Sequence, residues 1–214
     1  MSQIKLVVFD MDGTIIEPRS SWAMIHDYFG TDNTEMLQMY IDHKISDKEF
    51  VKADIKLWNS KSDVPVNEEY INSILDKAKP RKGAEELITS LHEANIKTVI
   101  LSGGIQYLAD KWAKEWNMDD ALANDLIDDK SGNLTAIIKS SGHNKGPVME
   151  KMIEKYNFKK NEIAAVGDTV VDIPTFERAG LSIAVNTEDE RVISRANYHL
   201  KGDLTELKSL ILNW

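Results

Sequence analysis

Asp10-Met11-Asp12-Gly13-Thr14 sets two carboxylates two residues apart, directly after the apolar, β-branched stretch Ile4 to Phe9. A buried strand that runs into two acids needs a counter-charge or a cage of donors, because burying bare negative charge is costly. Magnesium, which prefers hard oxygen ligands, suits such a pair, and Gly13 allows the chain to turn sharply behind it. Ser102-Gly103-Gly104 offers a hydroxyl and open backbone N–H groups at a strand-to-helix junction, which is a seat for phosphate. Lys145, in Asn144-Lys145-Gly146, adds a point charge for phosphate oxygens. Gly167-Asp168-Thr169-Val170-Val171-Asp172 brings two more carboxylates to another strand end. Together these residues fit phosphoryl transfer, where positioning and charge neutralisation carry most of the catalysis.

Taken singly, several of them have plainer readings. Asp172, just before Ile173-Pro174, suits a helix cap; Lys145 alone would be a surface lysine, and Ser102 alone an N-cap. Asp10 and Asp12 have no such alternative, and the ordered set points to function. Other residues carry less. His26, His43, His92, His143 and His199 show no metal-ligand spacing and read as packing or surface residues, with His143 set apart by its nearness to Lys145. Gly142 to Gly146 is not a P-loop, which requires a longer spacing and Ser or Thr after the lysine. Trp112 and Trp116 lie one helical turn apart, as core residues do.

Parallel strands would place these groups. Ile4 to Phe9, Thr98 to Leu101, Ile163 to Val166 and Leu181 to Val185 read as strands buried on both faces. Between them, Gly83 to Ala94, Ile105 to Trp116 and Lys145 to Tyr156 carry helical apolar stripes. Alternation of this kind predicts an α/β fold, a doubly wound parallel sheet with its site beyond the carboxyl ends of the strands. Residues 17–79 break the rhythm: they read as aromatic-rich helices without a strand, folded over the active edge. The expected organisation is a discontinuous core, 1–16 and 80–214, with a helical cap at 17–79 and hinges near Ile16-Glu17 and Lys79-Pro80.

Composition narrows the function classes. The 214 residues include 35 acidic and 26 basic ones, a formal charge of −9. That balance argues against nucleic-acid binding, which needs clustered Lys and Arg. With no cysteine there is no disulfide, thiolate nucleophile or Cys-based zinc site. The start resembles no signal peptide, and no stretch reaches the roughly 20 apolar residues of a membrane span. The expectation is a cytoplasmic protein, monomeric or homodimeric, acting on a small phosphate ester.

The order Asp-x-Asp-Gly-Thr, Ser-Gly-Gly, Lys, Gly-Asp-x-x-x-Asp resembles the four signature motifs of the haloacid dehalogenase superfamily. A helical insertion between the first two motifs is similar to its phosphoserine phosphatase branch. The resemblance implies a Rossmann-like core and a magnesium-dependent phosphatase. Asp10 would be the nucleophile, forming an aspartyl-phosphate, and would also bind the metal. Asp12 would be the general acid and then the base, its backbone carbonyl completing the metal shell. Asp168 would be the third metal ligand, Asp172 would orient Lys145 or a metal-bound water, and Ser102, Gly103 and Lys145 would hold the phosphoryl group. Members of that branch resemble one another in a glutamate after the first motif; at the same distance from Asp12 stands Arg19, with Glu17 two residues earlier. They also carry a cap arginine, absent between Glu49 and Lys56. In the last motif Thr169 and Val171 replace the usual glycine and asparagine. Arg19 thus points to a substrate with negative charge beyond its phosphate. A dehalogenase would lack Asp12; a phosphomutase, or a binding protein on a retired site, are the other readings.

Overall fold

The computed structural model describes residues 3–141 and 144–214, so His143 and the glycine before it lie outside the described residues. Among the described residues seven strands make one sheet: β1 (Leu6–Phe9), β2 (Lys97–Ile105), β3 (Asp120–Asp128), β4 (Leu134–Ile137), β5 (Ile163–Gly167), β6 (Leu181–Val185) and β7 (Tyr198–Leu200). The spatial order is β4-β3-β2-β1-β5-β6-β7, parallel throughout except for the β3–β4 hairpin.

All four β1 residues are buried because both faces of the sheet are covered. The pleat sends Leu6 and Val8 into one cluster with Val99, Leu101, Ile163 and Met149. Val7 and Phe9 face the other cluster, with Ile100, Ala164, Val166 and Ile183. Helices α5 (Ala84–Glu93), α6 (Gln106–Glu115), α7 (Lys145–Tyr156), α8 (Ile173–Phe176), α9 (Glu190–Ile193) and α10 (Leu207–Leu212) follow the strands. From β1 the chain builds outward to β2 on one side and later to β5 on the other. The carboxyl ends of β1 and β5 therefore flank a topological switch point, where open sheets of this kind form a crevice.

Helices α1 (Ser21–Phe29), α2 (Thr34–Ile41), α3 (Asp47–Ser60) and α4 (Glu68–Leu75) lie between β1 and α5. Local signals set their ends: Ser20 caps α1, Gly30 ends it in the left-handed region at φ 60°, and Ser46 with Glu49 forms a capping box on α3. Their entry and exit run side by side, joined by an antiparallel bridge between Ile16 and Pro80 and by bonds from Glu17 N to Lys79 O and from Arg81 N to Ile15 O, both 2.9 Å. The helices share one hydrophobic cluster with a sheet face, in which Ile25, Trp58 and Ile71 join Ile15, Ile16 and Ile105. The stacked Trp112–Trp116 pair belongs to the same cluster. Among the described residues no helix is long and apolar enough to cross a membrane.

Candidate active site

Backbone pairing continues past the end of β1, with Asp10 N donating to Val166 O at 2.9 Å, so Asp10 sits level with the start of the β5 loop. Gly13 turns the chain at φ +71°; a Cβ there would lie 2.3 Å from Asp168 Oδ2, so glycine is required for conformation and for space alike. Thr14 Oγ1, fully buried, donates to Asp168 Oδ1 at 3.0 Å. Oxygens of Asp10, Asp168 and Asp172 lie within 4.8 Å of one another, all on buried side chains. Lys145, the first residue of α7, is 2% exposed and reaches both Asp10 Oδ1 at 2.9 Å and Asp172 Oδ1 at 2.6 Å. Asp172 is fixed by accepting at Oδ2 from Asp168 N and Thr169 N, each at 3.0 Å. Its side chain thus orients the lysine and braces the loop that carries Asp168.

The carboxylate of Asp12 is held from α1 while its charge and that of Lys145 still act on one another. Its Oδ2 accepts from Ser21 N at 2.6 Å and Ser21 Oγ at 2.7 Å, and Ser21 Oγ accepts in turn from Ile105 N at 3.2 Å. A Cβ on Gly104 would meet Asp12 Oδ2 at 2.7 Å and Ser21 Oγ at 2.8 Å, so the glycine lets α1 close on the acid. Ser102 is buried and accepts from Gly104 N at 3.1 Å. The Gly103 carbonyl accepts from Trp22 Nε1 at 3.1 Å and Asn124 Nδ2 at 2.8 Å.

Burial dominates the electrostatics. It pushes the Asp10 carboxyl up to about 7, with the charge of Asp172 adding to it and Lys145 opposing. It pushes Asp168 up to about 8, helped by Asp10 and Asp172. Asp12 is raised too, by burial, against the two Ser21 donors. Burial works against the charge on Lys145, yet Asp10 and Asp172 hold its pKa above the usual lysine range. One lysine does not balance this many acids. Asp10 Oδ1 also lacks an aligned donor, since Lys145 is near it but poorly directed. Three converging oxygen donors with excess negative charge fit a hard divalent cation.

The predicted motif residues fall into two groups: Asp10, Lys145, Asp168 and Asp172 gather at the strand ends, while Asp12, near enough to Asp10 to influence it, is joined to Ser102 and Gly103 through Ser21 and Gly104. Glu17 and Arg19 are exposed beyond them, near enough to half-buried Arg81 to influence it, as Asp168 does. Arg81 Nη2 donates to Gly13 O at 2.7 Å. Sequence reasoning missed Ser21, Trp22, Asn124 and Arg81, because their roles depend on contacts 9 to 81 positions apart. Thr14 lay inside a quoted motif without an assigned role. A cleft of about 590 Å³ between α3 and β4, lined by Val51, Lys52 and Thr135 among others, includes none of the predicted site residues.

A family model of haloacid dehalogenase-like hydrolases matches residues 4–180. The chain belongs to that family. Within it the chain falls in the phosphoserine phosphatase-like branch. It is 31% identical over 189 residues to a phosphoserine phosphatase of Archaeoglobus fulgidus, covering 86% of this chain and 53% of the relative. A second, from Methanocaldococcus jannaschii, is 26% identical over 184 residues and covered to 84% on both sides. The chain thus spans about half the length of the first relative and most of the second. Among solved structures, a substrate-bound phosphoserine phosphatase complex superposes with a TM-score of 0.80 at 25% identity, over 99% of this chain and 100% of the other. A phospho-aspartyl intermediate analogue of phosphoserine phosphatase does so equally well, at 0.80 and 25%, over 98% and 100%. This haloacid dehalogenase-like core accounts for the seven-stranded order with β1 at the switch point.

Proposed function

We propose that the chain is a magnesium-dependent phosphomonoesterase that acts on a small phosphorylated metabolite and carries the phosphoryl group on Asp10. One observation carries the reading: Lys145 sits 2.9 Å from Asp10 inside a group of three buried carboxylates at the switch point. The named activity of the relatives supports the class.

Asp10, Asp168 and the backbone carbonyl of Asp12 would hold magnesium, with Asp172 orienting Lys145 beside them. When bound, magnesium supplies the positive charge that neutralises the carboxylates and the phosphoryl oxygens. Lys145, Ser102 and the Gly103 backbone hold the phosphoryl group in line with Asp10. A carboxylate oxygen of Asp10 forms a bond to phosphorus as the ester P–O bond breaks, and Asp12 gives its proton to the departing oxygen. The raised pKa of Asp12 favours the protonated form this step needs. Its Oδ2 is occupied by Ser21, while Oδ1 has no partner and is the oxygen left for proton transfer. Water then attacks phosphorus, Asp12 takes its proton, and the Asp10–phosphorus bond breaks to release phosphate.

We take residues 17–79 as a cap on a core formed by 1–16 and 80–214, closing to exclude bulk water. Arg19 at its start favours a substrate with negative charge beyond the phosphate, because a buried unpaired ammonium would be rejected. The test is phosphate release from p-nitrophenyl phosphate, phosphoserine, phosphoglycolate and sugar phosphates, with magnesium and then with EDTA. Turnover should need magnesium and fall at least about 10³-fold in Asp10→Asn. Release that survives Asp10→Asn or EDTA overturns the mechanism. Folded protein that releases nothing points instead to a transferase or a binding protein. An unchanged substrate ranking in Arg19→Glu removes Arg19 from the account.

A further inference from the structure

The peptide between Gly103 and Gly104 is held at both ends. Its carbonyl accepts from two side chains, Trp22 Nε1 at 3.1 Å and Asn124 Nδ2 at 2.8 Å, which occupies both acceptor lone pairs. Its N–H donates to Ser102 Oγ at 3.1 Å. A hydroxyl that already accepts from this N–H has its own proton free to donate, so rotation of the peptide would disturb the group proposed to hold a phosphoryl oxygen. The two carbonyl donors differ in origin. Asn124 belongs to β3 and also accepts at Oδ1 from Lys139 N at 2.8 Å and Ser140 N at 2.9 Å, tying the core loop that leads toward Lys145. Trp22 belongs to α1, one residue after Ser21, and stacks on fully buried Trp58 with ring centroids 6.2 Å apart.

Resting on the phosphatase reading of the same site, we propose that Trp22 is a positioning residue for the phosphoryl seat. Its indole N–H fixes the Gly103–Gly104 peptide and through it the Ser102 hydroxyl, so that the seat is complete only when α1 is docked. The neighbouring Ser21 holds Asp12 from the same turn of α1. Docking of one helix therefore sets the phosphoryl seat and the acid together.

Trp22→Phe tests this, since phenylalanine keeps a ring against Trp58 and removes only the N–H. Inorganic phosphate affinity is measured directly by equilibrium dialysis in magnesium, alongside KM and kcat for p-nitrophenyl phosphate. The expected result is phosphate binding and KM weakened by about 5–10-fold, the range of a lost hydrogen bond, with kcat changed much less. In a Ser102→Ala background the same substitution should add less than about twofold, because the indole acts through that hydroxyl. An unchanged phosphate affinity, or the same loss in both backgrounds, overturns the proposal. Loss of thermal stability with KM intact also overturns it, as it assigns Trp22 to packing alone. If the wild type binds phosphate but hydrolyses no ester, the dialysis comparison still decides the role of Trp22 while the hydrolase reading falls. A wild type that neither binds phosphate nor hydrolyses any ester overturns both.

Discussion

Two buried polar clusters stand in contrast. The first is the strand-end group, with Asp10, Asp168 and Asp172 around Lys145 and Asp12 nearby. The second lies within the helices of residues 17–79: His26, Asp54 and Trp58 are all buried, with Asp54 and Trp58 at 0% exposure. There Trp58 Nε1 donates to His26 Nδ1 at 3.2 Å, which places the proton of neutral His26 on Nε2, 3.2 Å from Asp54 Oδ1 but not aligned for a hydrogen bond. Thr31 Oγ1 lies 2.7 Å from Nδ1, and Asn33 Nδ2 donates to Asp54 Oδ1 at 3.2 Å. One acid lies against one ring, Thr31 and Asn33 add hydrogen bonds, and His26 Nε2 and Asp54 Oδ2 are left without one. At the strand ends the acids outnumber the cation and their oxygens face one another. Buried polar atoms without partners are common to both; what sets the strand ends apart is that several acids surround a single cation, an arrangement that calls for an outside charge.

Removing Lys145 should expose that difference most strongly. Lys145→Ala leaves Asp10 and Asp172 without their partner, and uncompensated buried charge costs about 3–5 kcal/mol. Phosphate release should drop at least about 100-fold at saturating magnesium, because the cation proposed to hold the phosphoryl oxygens is lost. Denaturant titration of the metal-free variant and steady-state assays read the two effects. A variant as stable and active as the wild type would mean that the strand-end group is balanced after all.

A smaller effect concerns pH in the metal-free protein. Folding raises Asp10 to about 7 and Asp168 to about 8 from an ordinary 3.8, so ionising them opposes folding. Their stabilising contribution is complete below about pH 4 and is lost as pH rises toward 8. Carboxylates held low by their partners, such as Asp42 and Asp189, are already ionised above pH 4 and add no slope there. Melting temperature in EDTA should therefore fall between pH 5 and pH 8, and magnesium should flatten the curve. A flat or rising curve in EDTA would remove the argument that the site calls for a cation.

The two clusters also differed in how far they could be read in advance. Asp10, Asp12, Lys145 and Asp168 were legible because each follows or opens an element with a strong apolar pattern, and parallel strands bring such ends together; Ser102 was legible from the apolar run before it, although β2 continues through it to Ile105 instead of ending there. Strands β1, β2, β5 and β6 were visible as apolar runs for the same reason. The strand β3 was not, since Asp120, Asp125 and Asp128 interrupt its pattern at the sheet's far side; β4, as long as β1, is not buried throughout, and β7 has only three residues. His26 and Asp54 lie 28 positions apart on separate helices, with no motif to join them. Ser21, Trp22 and Asn124 act only through folded contacts with Asp12 and Gly103, which local patterns do not encode.

The helical cluster should respond as a lock rather than a site. Asp54→Asn keeps the shape of the side chain and an acceptor for Asn33, but gives up the charge opposite His26. The cost should be about 1–3 kcal/mol of stability, within the range for disturbing one buried polar partner. Trp22 keeps its indole N–H in this variant, so phosphate affinity and kcat/KM per folded molecule should change less than about twofold. Urea unfolding and equilibrium dialysis on the same preparation separate the two quantities. A large fall in phosphate affinity with little loss of stability would break the comparison. It would mean that the buried acid reaches the phosphoryl seat through His26, Trp58 and Trp22, and that the two clusters work as one.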